Sequence, residues 1–207
     1  MYVTSSRLLA AAAVASSFAL AGCTVTRPTG TAGGASAPSQ TQTAQTRTPA
    51  SSPSAIDAQV DASLSRLYET VAGSRALVAG APGVLVFPSV VGASLGVGAE
   101  YGRGVLRSNG RTEAYYSTTA GSIGFQAGAQ SKAVFYVFTS REALDKFRQS
   151  RGWTVGADAT VAVARYGANG VVDTSTFRQP VVAFVMTNVG LEAGASLQGA
   201  KVTQIRP

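Results

Sequence analysis

Apolar residues recur three and four positions apart at Ile56, Val60, Leu64, Leu67 and Val71, the spacing of one helical face. The pattern predicts an amphipathic helix from about Ala55 to Ala72, capped by Ser54 and with Asp57 in its first turn to complement the dipole. Asp57, Asp61, Arg66 and Glu69 fall on the other face. Such a helix is expected to cover a sheet, because a helix lying on a membrane surface would want a more basic polar face.

From Gly83 the period changes, and short apolar or alternating runs broken by Gly, Asn and Pro predict strands. Val84 to Phe87 is expected to stop at Pro88. Ser94 to Leu106 reads as a long, glycine-punctuated strand, and Asn109-Gly110 between Val105-Leu106 and Tyr115-Tyr116 as a tight hairpin turn. Ala133 to Phe138 is a continuous apolar run. Thr139 with Glu142 three positions on predicts a capping box that opens a helix ending near Gly152. Thr154 to Ala164 alternates with period two, which makes it a strand with Asp158 at its middle. A second turn at Asn169-Gly170 precedes Val181 to Met186, Val189 to Leu197 and a closing Val202 to Ile205.

Gly124-Phe125-Gln126-Ala127-Gly128-Ala129 and Gly190-Leu191-Glu192-Ala193-Gly194-Ala195 repeat each other, and Gly96-Val97-Gly98-Ala99 is a looser third copy. Glycines two or four apart bare one face of a strand and permit sharp coiling or close approach of another layer. The predicted fold class is therefore α+β: a strongly curved, glycine-rich antiparallel β-sheet or partial barrel, an N-terminal amphipathic helix, and one helix inserted near 140–151.

The N-terminus reads differently. Arg7 precedes thirteen uncharged residues, Leu8 to Leu20, a run too short to span a bilayer. It ends in Leu20-Ala21-Gly22-Cys23, which resembles the cleavage box of bacterial lipoprotein signal peptides. The resemblance implies cutting before Cys23 and acylation of its thiol, and Thr24 in place of aspartate implies sorting to the outer membrane, on its periplasmic or surface side. Each buried methylene contributes about 0.8 kcal/mol, so two or more acyl chains anchor stably where one does not. Thr24 to Pro53 is almost wholly Thr, Ser, Ala, Gln, Gly and Pro, without an aromatic residue, and cannot bury enough apolar surface to offset its ordering entropy. The expected organisation is a signal peptide over 1–22, acylated cysteine and tether over 23–53, and one domain over 54–207.

That domain holds 19 of the 23 glycines and 14 basic against 10 acidic residues. The modest, arginine-rich excess suits anionic head groups or phosphates. There is no histidine and a single cysteine, so disulfides, zinc sites of Cys/His type and histidine triads are excluded. Gly96, Gly98, Gly102 and Gly104 have neither the spacing nor the following helix of a dinucleotide loop. Asp158 and Glu192 are the carboxylates that an enzyme would have to use, and Asp158 reads equally as an arginine's partner or a solvent-facing residue. Trp153, Tyr115, Tyr116, Phe125 and Tyr136 would line an apolar lipid pocket or, more commonly, a core. No catalytic pair emerges, so no enzyme activity, cofactor, metal or nucleic acid is expected, and a monomer is.

Phe87-Pro88, Gly98-Ala99-Glu100-Tyr101-Gly102-Arg103-Gly104, Gly124 to Gln130, Gly156-Ala157-Asp158-Ala159 and Gly190 to Ala195 together resemble the SYLF domain family, from about Leu64 to Ile205. Eukaryotic members bind phosphoinositides and membranes through a basic surface and an amphipathic helix, and some bind actin; bacterial members are commonly lipoproteins. The resemblance implies binding to a phospholipid membrane. Arg75, Arg103, Arg107, Arg111 and Lys132 are the lipid-binding candidates, because they fall at expected turns or strand ends. The alternative is an envelope scaffold that holds a protein or peptidoglycan on the glycine-bared sheet face.

Overall fold

A computed structural model describes residues 52–165, 175–192 and 196–206, without the side chains of 94–96 and 122–129. Helix α1 (Pro53–Thr70) buries Ile56, Val60, Leu64 and Leu67, the stripe read from the sequence. Its cap is Ser52 rather than Ser54: the Ser52 hydroxyl accepts from the Ala55 N–H at 3.3 Å. Pro53 takes the first helical position, where a missing N–H costs nothing and φ is already set. A seven-residue helix that the pattern did not predict, α2 (Ser74–Gly80), follows a left-handed Gly73.

Strands β1 (Gly83–Ser108) and β2 (Arg111–Phe138) form one very long antiparallel hairpin. Its turn is Asn109-Gly110, both at positive φ, as the hairpin reading expects. β1 does not stop at Pro88. It continues through an irregularity between Phe87 and Val90, a place where a proline without a ladder N–H is tolerated. The ribbon coils until the end of β1 meets the residue just before its start: the Ser108 hydroxyl donates to the Pro82 carbonyl at 2.8 Å. The second edge of β2 pairs with β7 (Lys201–Ile205) at Tyr115 to Thr119 and with β5 (Val181–Thr187) at Ala133 to Phe138.

Short strands β3 (Trp153–Thr154), β4 (Ala162–Val163) and β6 (Gly190–Leu191) complete a curled, open half-barrel. β4 runs parallel to β5, so the sheet is mixed and not wholly antiparallel. The fold is α+β.

Two expected strands are mostly not strands. Between Thr154 and Ala164 the chain turns at Gly156, φ 88°, and the Thr154 N–H donates to the Asp158 carboxylate at 2.6 Å. Asp158 is thus an exposed turn residue, not a mid-strand one. From Val189 on, only Gly190–Leu191 is a strand among the described residues before β7; Ala193 to Ala195, Asn169-Gly170 and the side chain of Phe125 lie outside them.

The sheet carries apolar layers on both faces. Leu85, Phe87, Leu106, Tyr136, Phe138 and Trp153 pack with Leu144 and Phe147 of α3 (Arg141–Gln149) on one. Val84, Val86, Val105, Phe135 and Phe184 pack against the α1 stripe on the other. α3 is capped by the Ser140 hydroxyl and not Thr139, whose hydroxyl donates instead to the Gln179 carbonyl. Trp153, Tyr116 and Tyr136 belong to the core, with Trp153 edge-on to both Tyr136 and Phe147 at 5.4 Å. Among the described residues, no helix is long and apolar enough to cross a membrane.

Candidate functional site

Because α1 turns into α2 within four residues, the two helices and the base of the hairpin enclose a cleft of about 440 Å³. Asp61, Leu64, Ser65 and Tyr68 line it from α1, positions three, four and seven apart on one helical face. Arg75 and Val78 enter from α2, and Gly83, Val84 and Arg107 from β1, with Asn109 and Gly110 at the turn. The Arg75 guanidinium lies over the Tyr68 ring, 4.4 Å from its centroid, a cation–π geometry that holds a long side chain against the wall. Burial raises the Tyr68 hydroxyl above the ordinary phenol range, and the charges of Arg75 and Arg107 pull it part of the way back.

Arg107 is the structural centre of the cleft. Its side chain is 14% exposed, it forms an ion pair with Asp61, and Nη2 stands 3.7 Å from an Asp57 carboxylate oxygen. Nη2 also donates to the Asp57 carbonyl at 3.3 Å. The hydrogen bond to Asp61 raises Arg107 further above the arginine range, outweighing its burial, so it is a permanent cation. Thr112 and Tyr115 hydroxyls donate to the two oxygens of Asp57 at 2.7 and 2.8 Å. The Nε of Arg107 is buried without a partner among the described residues, which leaves one donor of a charged group unsatisfied.

The structure therefore brings together two of the five predicted lipid-binding residues, Arg75 and Arg107. The other three stand elsewhere. Arg103 is exposed on β1 and donates to the Tyr101 hydroxyl at 3.1 Å. Lys132 is folded into the sheet, 18% exposed, and pairs with Glu100 at 2.9 Å, so it is not the freely reaching strand-end cation that the sequence suggested. Arg111 is exposed beside the hairpin turn, in register with Ser108. Arg107 likewise spends its charge within the fold. Cys23 lies outside the described residues. Asp61 and Tyr68 were not predicted as site residues: nothing in the pattern distinguishes them until α2 supplies the facing wall.

A second hollow of about 600 Å³ lies between α3 and the turn at Asp158 to Thr160. It contains none of the five candidate cations, and its Lys146 is paired with Glu142 at 2.8 Å. Among the described residues no cluster of three or more His, Cys, Asp or Glu side chains could hold a metal ion. The glycines differ in what faces them: a Cβ on Gly190, within one of the repeats, would meet nothing within 4 Å. A Cβ on Gly102 would stand 2.9 Å from the Ser89 carbonyl oxygen, so neighbouring β1 backbone already occupies that space.

Residues 119–206 match the family described as Ysc84, Las17-binding protein actin regulator. The matched segment is less than half of the chain, and it supports membership of the SYLF family. No curated protein matches it. The matched segment starts in β2 and takes in α3 to β7, so Asp61, Tyr68, Arg75 and Arg107 all lie upstream of it. What the SYLF match says of fold therefore does not extend to the chemistry of the cleft.

Proposed function

We propose that this SYLF protein is an outer-membrane lipoprotein, anchored through Cys23, whose domain binds phospholipid head groups and catalyses no reaction. The observation that carries the reading is Arg75, stacked on Tyr68 and in no ion pair among the described residues, on the wall of a cleft of head-group size. A stacked guanidinium keeps its donors free for a phosphate oxygen while losing little further rotamer freedom on binding. Apolar Leu64 and Val78 beside it suit the glycerol end of a lipid. The test is co-sedimentation of the whole chain, carrying Cys23→Ser so that no acyl group contributes, with phospholipid vesicles. Association that weakens with salt and falls on Arg75→Gln is expected; no association at low salt ends the reading.

One observation favours a scaffold instead. Val91, Val97 and Tyr101 are exposed on β1, Val97 by 77%, and an apolar strip of this kind commonly marks a contact surface. A photo-crosslinker at position 97 capturing one envelope protein, together with no vesicle binding, would decide for the scaffold.

A further inference from the structure

The cleft is electrically two-ended. Near the hairpin turn, Asp57 and Asp61 face one guanidinium, Arg107, which leaves that end with an excess negative charge. Seven residues along α1, about 10 Å of helix rise, Tyr68 carries Arg75, and Asp61 is the only carboxylate among the described lining residues. A purely anionic ligand on Arg75 would look at the acidic end uncompensated, and a purely cationic one would meet the arginine. A ligand holding both charges a few bonds apart satisfies both ends.

We infer that the cleft takes a phosphoethanolamine group, its phosphate on Arg75 and the Tyr68 hydroxyl and its primary ammonium on Asp61. The choice of acceptor follows from the hydrogen bonds. Both oxygens of Asp57 already receive hydroxyl donors from Thr112 and Tyr115. Asp61 has its side chain 65% exposed and accepts only from Arg107 among the hydrogen bonds described. It therefore has lone pairs free for N–H donors. A trimethylammonium offers no such donor, so the primary amine is preferred over choline. This inference rests on the head-group reading and names its ligand.

The experiment uses the whole chain with Cys23→Ser and vesicles of phosphatidylcholine alone, or with added phosphatidylethanolamine or phosphatidylglycerol. Calorimetric titration with soluble glycerophosphoethanolamine is run alongside. Phosphatidylethanolamine should strengthen association about tenfold over phosphatidylcholine, the worth of one charge-assisted hydrogen bond. Asp61→Asn should erase that preference while leaving residual binding, and Arg75→Gln should weaken binding to every vesicle. Unchanged Trp153 emission certifies that each variant is folded. A preference for phosphatidylglycerol that Asp61→Asn leaves untouched overturns the zwitterion inference and leaves the head-group reading standing. Binding of the soluble ester without vesicle binding supports the zwitterion and overturns the membrane as its source. Binding to neither overturns both.

Discussion

Gly104 has no side chain because the Val86 carbonyl oxygen occupies the place where its Cβ would stand. The Phe87 ring closes the same space, with Cδ1 2.6 Å from that position. Val86 and Gly104 belong to one strand eighteen positions apart, and their contact is what coiling the β1–β2 ribbon into a half-barrel requires. The obstacle is backbone plus a fully buried ring, so no rotamer change relieves it. Gly104→Ala should destabilise the domain by roughly 3 kcal/mol, at the upper end for overpacking. Gly121, also in the ribbon, meets nothing within 4 Å and has no positive φ; Gly121→Ala should be neutral or stabilise by up to about 1 kcal/mol through the unfolded chain. Urea unfolding followed by Trp153, the only tryptophan and 3% exposed, separates the two; equal midpoints would contradict the packing argument.

Arg107 fastens α1 to the base of the hairpin. Arg107→Met removes the cation shared by Asp57 and Asp61 and leaves Asp57, whose side chain is 30% exposed, without its guanidinium partner. Because Asp61 remains well solvated, the loss should be about 1–2 kcal/mol, less than for a fully buried pair. A double-mutant cycle with Asp57→Asn should show coupling of roughly 1 kcal/mol. Strict additivity of the two substitutions would mean that the pair holds nothing.

How much of this could be read from the sequence differs by element. The α1 stripe was legible because apolar residues three and four apart over several turns suit a helix and no strand, yet its cap was displaced by two residues: Ser54 looks as good a cap as Ser52, and only Pro53 decides between them. The hairpin turn at Asn109-Gly110 was legible because few residues accept two positive φ values in succession. Thr154 to Ala164 misled because alternation of small residues is equally compatible with a turn, and Gly156 with Asp158 makes one. For the site, the arginines were visible as charges but their partners were not. That Arg107 meets Asp57 and Asp61, or Lys132 meets Glu100, depends on contacts tens of residues apart in sequence. The cleft itself needs α2, a helix too short to show a period.

Alkaline pH should destabilise the domain through its buried phenols. Tyr136, fully enclosed by the core, is raised far above the ordinary tyrosine range, first by burial and then by the charge of Glu100. Tyr68, Tyr115 and Tyr116 are raised as well, burial again leading. A folded value above the unfolded one means that the contribution is whole below pH ~10 and is lost as pH climbs beyond it, by up to about 1.4 kcal/mol per unit for the enclosed Tyr136 and by less for the other three, which solvent screens. Tyr136→Phe should therefore flatten the fall of the urea midpoint between pH 8 and pH 11 without removing it. An unchanged slope would show that Tyr136 ionises as readily folded as unfolded.

If Cys23 is acylated, the wild-type protein should fractionate with the outer membrane and Cys23→Ser should move it to the soluble periplasm, since each methylene withdrawn from the bilayer forfeits about 0.8 kcal/mol. The domain's own hold on the membrane is a separate quantity. A single cleft that binds one head group saturates as one weak site, whereas acylation adds an effectively permanent tether, so the leash raises the local lipid concentration that the cleft samples. The two contributions separate in one set of strains. Arg75→Gln alone should stay membrane-bound, Cys23→Ser alone should be released with a salt-sensitive residue left behind, and the double variant should lose that residue. Mass spectrometry that finds residues 1–22 still attached and the thiol free would remove the anchor, and then Arg75→Gln alone would govern whatever membrane association remains.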